Sequence, residues 1–129
     1  MTKTPDLAAT SLTESIIHLL HRSSQVADDQ FARLTTEVTT RQFVVLDAVE
    51  RHPGSTQTDI CTLTGVDRST LADIVKRLIK RGLLQRRRLR TDARAYDVRL
   101  TPMGAALLER ARAQAASAEK QIVESLTRV

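Results

Sequence analysis

At Gly82 the hydrophobic period of the chain changes, and this constrains its fold more than any other feature. Before it, Leu71, Ile74, Val75 and Leu78 recur at helical spacing. After it, residues 83–88 and 96–100 alternate with period two and predict two antiparallel strands, with residues 89–95 as the tip of the hairpin. The charge is concentrated in the same place. Residues 76–99 hold ten of the 20 Lys and Arg against two acids, Asp92 and Asp97, a net +8, while the rest of the chain sums to −3. Arg86, Arg87, Arg88, Arg90 and Arg94 on one short hairpin repel each other unless a polyanion relieves them. Phe31, Phe43 and Tyr96 are the only aromatic residues, too few to build the stacking platforms that hold single strands. Duplex DNA is the expected polyanion.

A chain of 129 residues and 14.4 kDa fits one domain and buries enough surface to fold without a metal or a disulfide. Its single cysteine, Cys61, excludes an internal disulfide framework and favours a reducing cytoplasm. No apolar run approaches the ~20 residues of a membrane span, and the first residues lack the basic-then-apolar order of a secretory signal.

Polar helix starts punctuate the rest. Residues 1–10 read as a loose arm. Ser11, with Glu14 three residues on, predicts a helix to about residue 35 carrying Ile16, Leu20, Ala27, Phe31 and Leu34 as one stripe, a rod about 36 Å long. Thr39 with Gln42 predicts a second helix, with Phe43, Val44, Leu46 and Val49 inward, ended by His52-Pro53-Gly54. Thr56 opens a short third helix with Ile60 and Leu63 as its core contacts. Asp67 caps a fourth that runs to Arg81. Pro102 is suited to the first turn of a last helix with Leu107, Leu108, Ala111, Ala115, Ala118, Ile122 and Leu126 on one side. Residues 11–38 and 102–129 are the expected dimerisation segments, and residues 39–101 the expected nucleic-acid-binding domain.

Residues 56–81 are two short helices joined by a Gly-containing turn, a helix-turn-helix, and the basic hairpin directly after it makes a winged helix. On a helical wheel the fourth helix puts Leu71, Ile74, Val75 and Leu78 on one side. Ser69, Thr70, Ala72, Asp73, Lys76, Arg77 and Lys80 lie opposite, with Arg68 at the start. Short hydrogen-bonding side chains near the N-terminus suit base edges, and cations further on suit phosphates. The helix N-terminus itself also favours a phosphate. Asp73 has two readings, acceptor from a cytosine amino group or intrahelical partner of Arg77 or Lys76. A solvated amphipathic face is the plain alternative for the helix taken by itself.

The residues Asp59-Ile60, Thr64-Gly65-Val66-Asp67-Arg68-Ser69-Thr70, Leu78, Arg81-Gly82-Leu83-Leu84, Arg86, Asp92, Arg94, Leu100-Thr101 and Gly104 resemble the MarR family of bacterial transcription regulators. The resemblance implies a mainly α fold with a two-stranded β-wing, dimeric through long N- and C-terminal helices. It implies a homodimeric repressor of a nearby operon, located in the bacterial cytoplasm. Such a protein binds a pseudo-palindromic double-stranded DNA operator and is often released by a small aromatic carboxylate or phenolic effector. Arg94 resembles the wing-tip arginine that enters the minor groove, and Asp92 the acid that orients it. Ser69, Thr70, Lys76 and Arg77 match contact positions on the recognition helix, while Arg68, Lys80, Arg86, Arg88 and Arg90 extend the expected DNA surface. Many relatives carry a further C-terminal helix, whereas this sequence ends at Val129, so either the dimer relies on the first and last helices or this is a shortened family member.

His18, His21, Arg22 and Gln25 cluster on the polar side of the first helix and are candidate contacts for an anionic aromatic effector. Solvent exposure and dimer-interface hydrogen bonding remain alternatives. His18 and His21 have no Cys or carboxylate to complete a metal set, and no cofactor is expected. Cys61 reads as a small core thiol, with redox control as the other possibility. No phosphate loop, nucleophile pair or metal-spaced cluster suggests an enzyme. A winged helix used mainly for protein contacts is the alternative function, and it would need an acidic partner.

Overall fold

The structure, a computed structural model, describes residues 15–91 and 95–127, with side chains to residue 124. Helix α1 (Ile16–Leu34) starts behind Ser15, whose backbone is extended (φ −78°, ψ 119°) and whose Oγ accepts from the His18 amide at 3.3 Å. An extended Ser15 rules out an uninterrupted helix from Ser11, which itself lies outside the described residues. Ser15 offers the same capping hydroxyl directly before the apolar pair Ile16-Ile17. The rod is therefore 19 residues, about 28 Å rather than about 36 Å.

Helices α2 (Thr40–Arg51) and α3 (Gln57–Thr64) open on reciprocal capping boxes, Thr39 with Gln42 and Thr56 with Asp59. Asp67 caps α4 (Arg68–Lys80). At the end of α4 the chain turns through Gly82 (φ +76°), whose amide returns to the Ile79 carbonyl while the Leu83 amide bonds that of Leu78, each at 2.9 Å. Leu83 thus still belongs to the helix end, which is why β1 (Leu84–Arg88) starts one residue later than its sequence pattern suggests.

Strand β2 (Tyr96–Leu100) pairs antiparallel with β1, with Leu84 opposite Leu100, Arg86 opposite Val98 and Arg88 opposite Tyr96. Its other edge meets Ser55 and Thr56: Thr56 bridges Asp97, and the Val98 amide donates to the Ser55 carbonyl at 3.0 Å. This places the wing against the start of α3. Helix α5 (Pro102–Thr127) follows at once, with proline as its first residue. Thr101 ties it down: its amide donates to the Leu83 carbonyl at 3.1 Å, and its Oγ1 accepts from the Gly104 amide at 3.0 Å.

The core joins all the helices and the wing through Phe31, Val45, Leu46, Ile60, Leu71, Val75, Leu78, Leu84, Val98 and Leu108. Leu71, Ile74, Val75 and Leu78 are all buried, as their spacing predicts. Two other expectations fail. Val44 and Leu63 are exposed: in α2 the buried set is Val45, Leu46, Ala48 and Val49, a face turned by one residue. Helix α3 buries only Ile60, with Cys61 and Val66 half-covered against the core beside it.

The outer helices are unequal. Along α5, Leu107, Leu108, Ala111, Ala115 and Ala118 are buried and Ile122 is half-buried, while the Leu126 side chain lies outside the described set. Helix α1 packs on α5 but buries only Phe31, whose ring lies 5.2 Å from that of Phe43. Its N-terminal end leaves Ile16 73%, Ile17 83% and Leu20 66% exposed. The predicted stripe exists in sequence, yet one copy of the chain covers only its far end.

Candidate nucleic-acid interface

Asp67 builds the start of the candidate reading helix. Its Oδ2 accepts from the Thr70 amide at 3.0 Å and from the Ser69 hydroxyl at 2.8 Å. Hydrogen bonds from Thr70, then Ser69, hold its carboxyl down at about 2, so it stays ionised against the positive end of the helix. The Thr70 amide, one of the donors expected to face a phosphate, is thereby taken. The Ser69 hydroxyl is likewise engaged as a donor to the cap.

Beyond the cap, Arg68, Ser69, Ala72, Asp73, Lys76, Arg77 and Lys80 are exposed along one side of α4, and Thr70 is half-buried at its edge. Asp73 pairs with Arg77, Oδ2 to Nε 3.1 Å, the intrahelical reading of the two. This exposed pair is worth little in stability, but it tempers the charge of the face at its centre. Lys76 and Lys80 make no ion pair among the described residues.

The wing adds cations by alternation. Cross-strand partners share a face, so Arg86 and Arg88 project on the side of Val98 and Tyr96, and Arg87 on the side of Asp97. Arg86, Arg87, Arg88 and Arg90 are all exposed. Asp97, which sequence counting set against this positive charge, is buried and accepts from Arg99 Nε at 3.2 Å and Nη2 at 3.1 Å. Its charge is spent inside the wing, which leaves the outer arginines uncompensated. Asp92 and Arg94, the expected wing-tip pair, lie outside the described residues.

Pattern reading missed two features. Tyr96 reads as an apolar position in an alternating strand, yet its hydroxyl accepts from Arg88 Nη2 at 3.2 Å, and the Arg88 guanidinium lies 5.7 Å from its ring centroid. Only the strand register could have paired them. Glu37, in the turn before α2, accepts from Arg110 of α5 through its carboxylate, and from Arg81 Nη2 at 2.6 Å through its backbone carbonyl. The sequence separations of 73 and 44 residues explain why no local pattern shows it.

Glu37 and Arg81 also line a groove of about 900 Å3 between the C-terminal end of α1 and the start of α2, with Asp28, Phe31, Thr35 and Arg41. None of the four candidate effector residues lines it. His18 is half-buried and His21, Arg22 and Gln25 are exposed, all on the N-terminal half of α1. Among the described residues no group of three or more His, Cys, Asp or Glu is placed to hold a metal, and no helix is long and apolar enough to cross a membrane.

Known proteins share this arrangement. Over 100 residues the chain is 38% identical to the HTH-type transcriptional repressor NicR of Pseudomonas putida, covering 76% of this chain and 63% of that protein. It spans about three-fifths of the length of the curated relatives it matches. The transcriptional repressor CouR bound to a 23-mer DNA duplex superposes with a TM-score of 0.84 at 31% identity, over 96% of this chain and 89% of that one. Bordetella bronchiseptica BpsR, whose DNA binding is regulated by 6-hydroxynicotinic acid, superposes with a TM-score of 0.80 at 30% identity, over 85% and 80% of the two chains. Residues 36–95, which span α2, the helix-turn-helix and the first strand of the wing, match the MarR family. With this fold, this likeness and this cationic surface, the chain belongs to the MarR family of winged helix-turn-helix regulators.

Proposed function

We propose that the chain is a homodimeric transcriptional repressor that reads a pseudo-palindromic operator in duplex DNA. One observation carries this reading. The exposed side of α4 is followed by the outer arginines of the wing, and among the described residues the acids there are held locally: Asp67 by Ser69 and Thr70, Asp73 by Arg77, and Asp97 buried against Arg99. Lys76, Arg77, Lys80, Arg86, Arg88 and Arg90 supply the phosphate contacts. Ser69 and Thr70, with Arg68 at the helix start, face the base edges, and Arg94, oriented by Asp92, enters the minor groove. A two-fold axis through residues 11–38 and 102–129 sets two such surfaces about one helical turn apart. The exposed Ile16, Ile17 and Leu20 supply apolar area for that contact.

The effector in this reading is an aromatic acid, by analogy with BpsR. His18, His21, Arg22 and Gln25 are its proposed contacts, because they stand beside the apolar residues that a second copy would cover. Selection of bound oligonucleotides by the purified protein, followed by titration of the winning duplex, tests the DNA half. A two-fold symmetric sequence bound by two chains is expected, and equal affinity for all duplexes contradicts it. Calorimetry with 6-hydroxynicotinate and other aromatic carboxylates tests the effector half. Heat from at least one, with weaker operator binding in its presence, is expected, and no heat from any removes it.

A further inference from the structure

We infer that Tyr96 is a positioning residue for the duplex contact: it fixes the Arg88 guanidinium at the root of the wing tip so that its remaining N–H donors meet a phosphate. The two residues end β1 and begin β2, directly opposite each other in the register, with their side chains on the same face. Two different interactions join them, the Nη2 hydrogen bond to the phenolic oxygen at 3.2 Å and the guanidinium over the ring at 5.7 Å. Arginine has several soft torsions and loses much rotamer freedom when it is ordered at a phosphate. A partner that orders it before DNA arrives lowers that cost.

The chemistry of the partner matters as much as its position. Arg51, Arg77, Arg99, Arg110 and Arg112 are each held by a carboxylate, so each already has an anionic partner beside it. Among the described residues Arg88 is held by a neutral ring and a hydroxyl. That fixes its direction and leaves its full positive charge, and four of its five N–H donors, for an anion. Arg86 projects on the same face two residues earlier, and Arg90 follows just beyond, so the held cation stands in a row of cations.

The inference rests on the duplex-DNA reading above, and one experiment separates the two. Affinity for the selected duplex is measured across salt for wild type, Tyr96→Phe, Tyr96→Leu, Arg88→Ala and the Arg88→Ala/Tyr96→Leu double variant, with thermal melts of each. Tyr96→Leu is expected to weaken binding about three- to tenfold, and Tyr96→Phe, which keeps the ring, about twofold. Arg88→Ala is expected to lower the salt slope by about one, and Tyr96→Leu should add nothing to Arg88→Ala. Melting temperatures should stay unchanged, because both side chains are exposed, so a merely structural role for Tyr96 would not produce this pattern. Wild-type affinity and salt slope in Tyr96→Leu, or additive losses in the double variant, overturn the inference while leaving the DNA reading intact. Failure of the wild type to bind any duplex overturns the DNA reading, and this inference with it.

Discussion

Arg110 of α5 and Glu37 of the turn before α2 form a two-pronged ion pair, Nη2 to Oε1 at 3.0 Å and Nε to Oε2 at 3.4 Å. The same Glu37 receives Arg81, the residue that caps α4, on its backbone carbonyl. One residue thus links the last helix to the end of the reading helix. A second arginine of α5, Arg112, reaches Asp47 and Glu50 of α2, so α5 is tied by ion pairs both to α2 and to the turn before it.

Hydrogen bonding to Arg110, with the charges of Arg110 and Arg81, holds the Glu37 carboxyl below its ordinary 4.5. A depressed carboxylate stabilises the fold above its unfolded pKa, and the contribution is lost as the pH falls through the folded value. Glu37→Gln should therefore melt slightly below wild type at neutral pH, and the gap should close as the pH falls below the ordinary 4.5 and through the lowered folded value. High salt should narrow it too, since the pair is exposed. Melts over this range check it, and a gap that persists in acid contradicts the pairing.

Asp67→Ala removes the cap of α4 and should lower the melting temperature by about 4–8 °C at neutral pH, whereas Asp67→Asn, also a good cap, should lose much less. The Asp67 carboxyl is held at about 2 against an ordinary 3.8, so its contribution is complete above 3.8 and fades as the pH falls toward 2. The deficit of the alanine variant should shrink over that interval. Equal melting of the alanine and asparagine variants would remove the cap from the account.

Gly104→Ala should destabilise the chain by about 3 kcal/mol. A Cβ at this position would stand 2.0 Å from the Leu83 carbonyl oxygen and 2.9 Å from its carbon. That oxygen also accepts the Thr101 amide, so the clash falls on backbone that no rotamer change can move. Urea unfolding measures it, and a loss under about 0.5 kcal/mol would mean that α5 and the start of the wing are further apart.

Asp73→Asn frees Arg77 and removes an acid from the reading face. Duplex affinity should rise for every sequence, with the salt slope steeper by about one. A selective loss of about tenfold or more on the operator would instead make Asp73 a reader of cytosine.

Sequence and structure agree where local chemistry decides. Reciprocal caps at Thr39 and Thr56, the glycine exit at Gly82 and the four buried residues of α4 are each set by neighbours within a few positions. Val44 and Leu63 are exposed against their pattern because a short helix can be turned by one residue without changing its pattern, and only the packing partner selects the buried face. The start of α1 was misplaced because Ser11 and Ser15 both offer a capping hydroxyl. The basic surface was visible as composition, but the burial of Asp97 beside Arg99, the hold of Tyr96 on Arg88 and the Arg110–Glu37–Arg81 link depend on register and tertiary contact.

In the proposed function α4 and the wing form one cationic surface, presented twice, that grips a duplex. Fluorescence anisotropy of a labelled selected duplex, titrated with the purified chain at several salt concentrations, tests it most directly. The account predicts two chains per duplex and an affinity that falls linearly with salt on logarithmic axes, with a slope of at least about 5 in magnitude. A single chain per duplex with a slope near zero, or no binding at about 0.15 M salt, would contradict it.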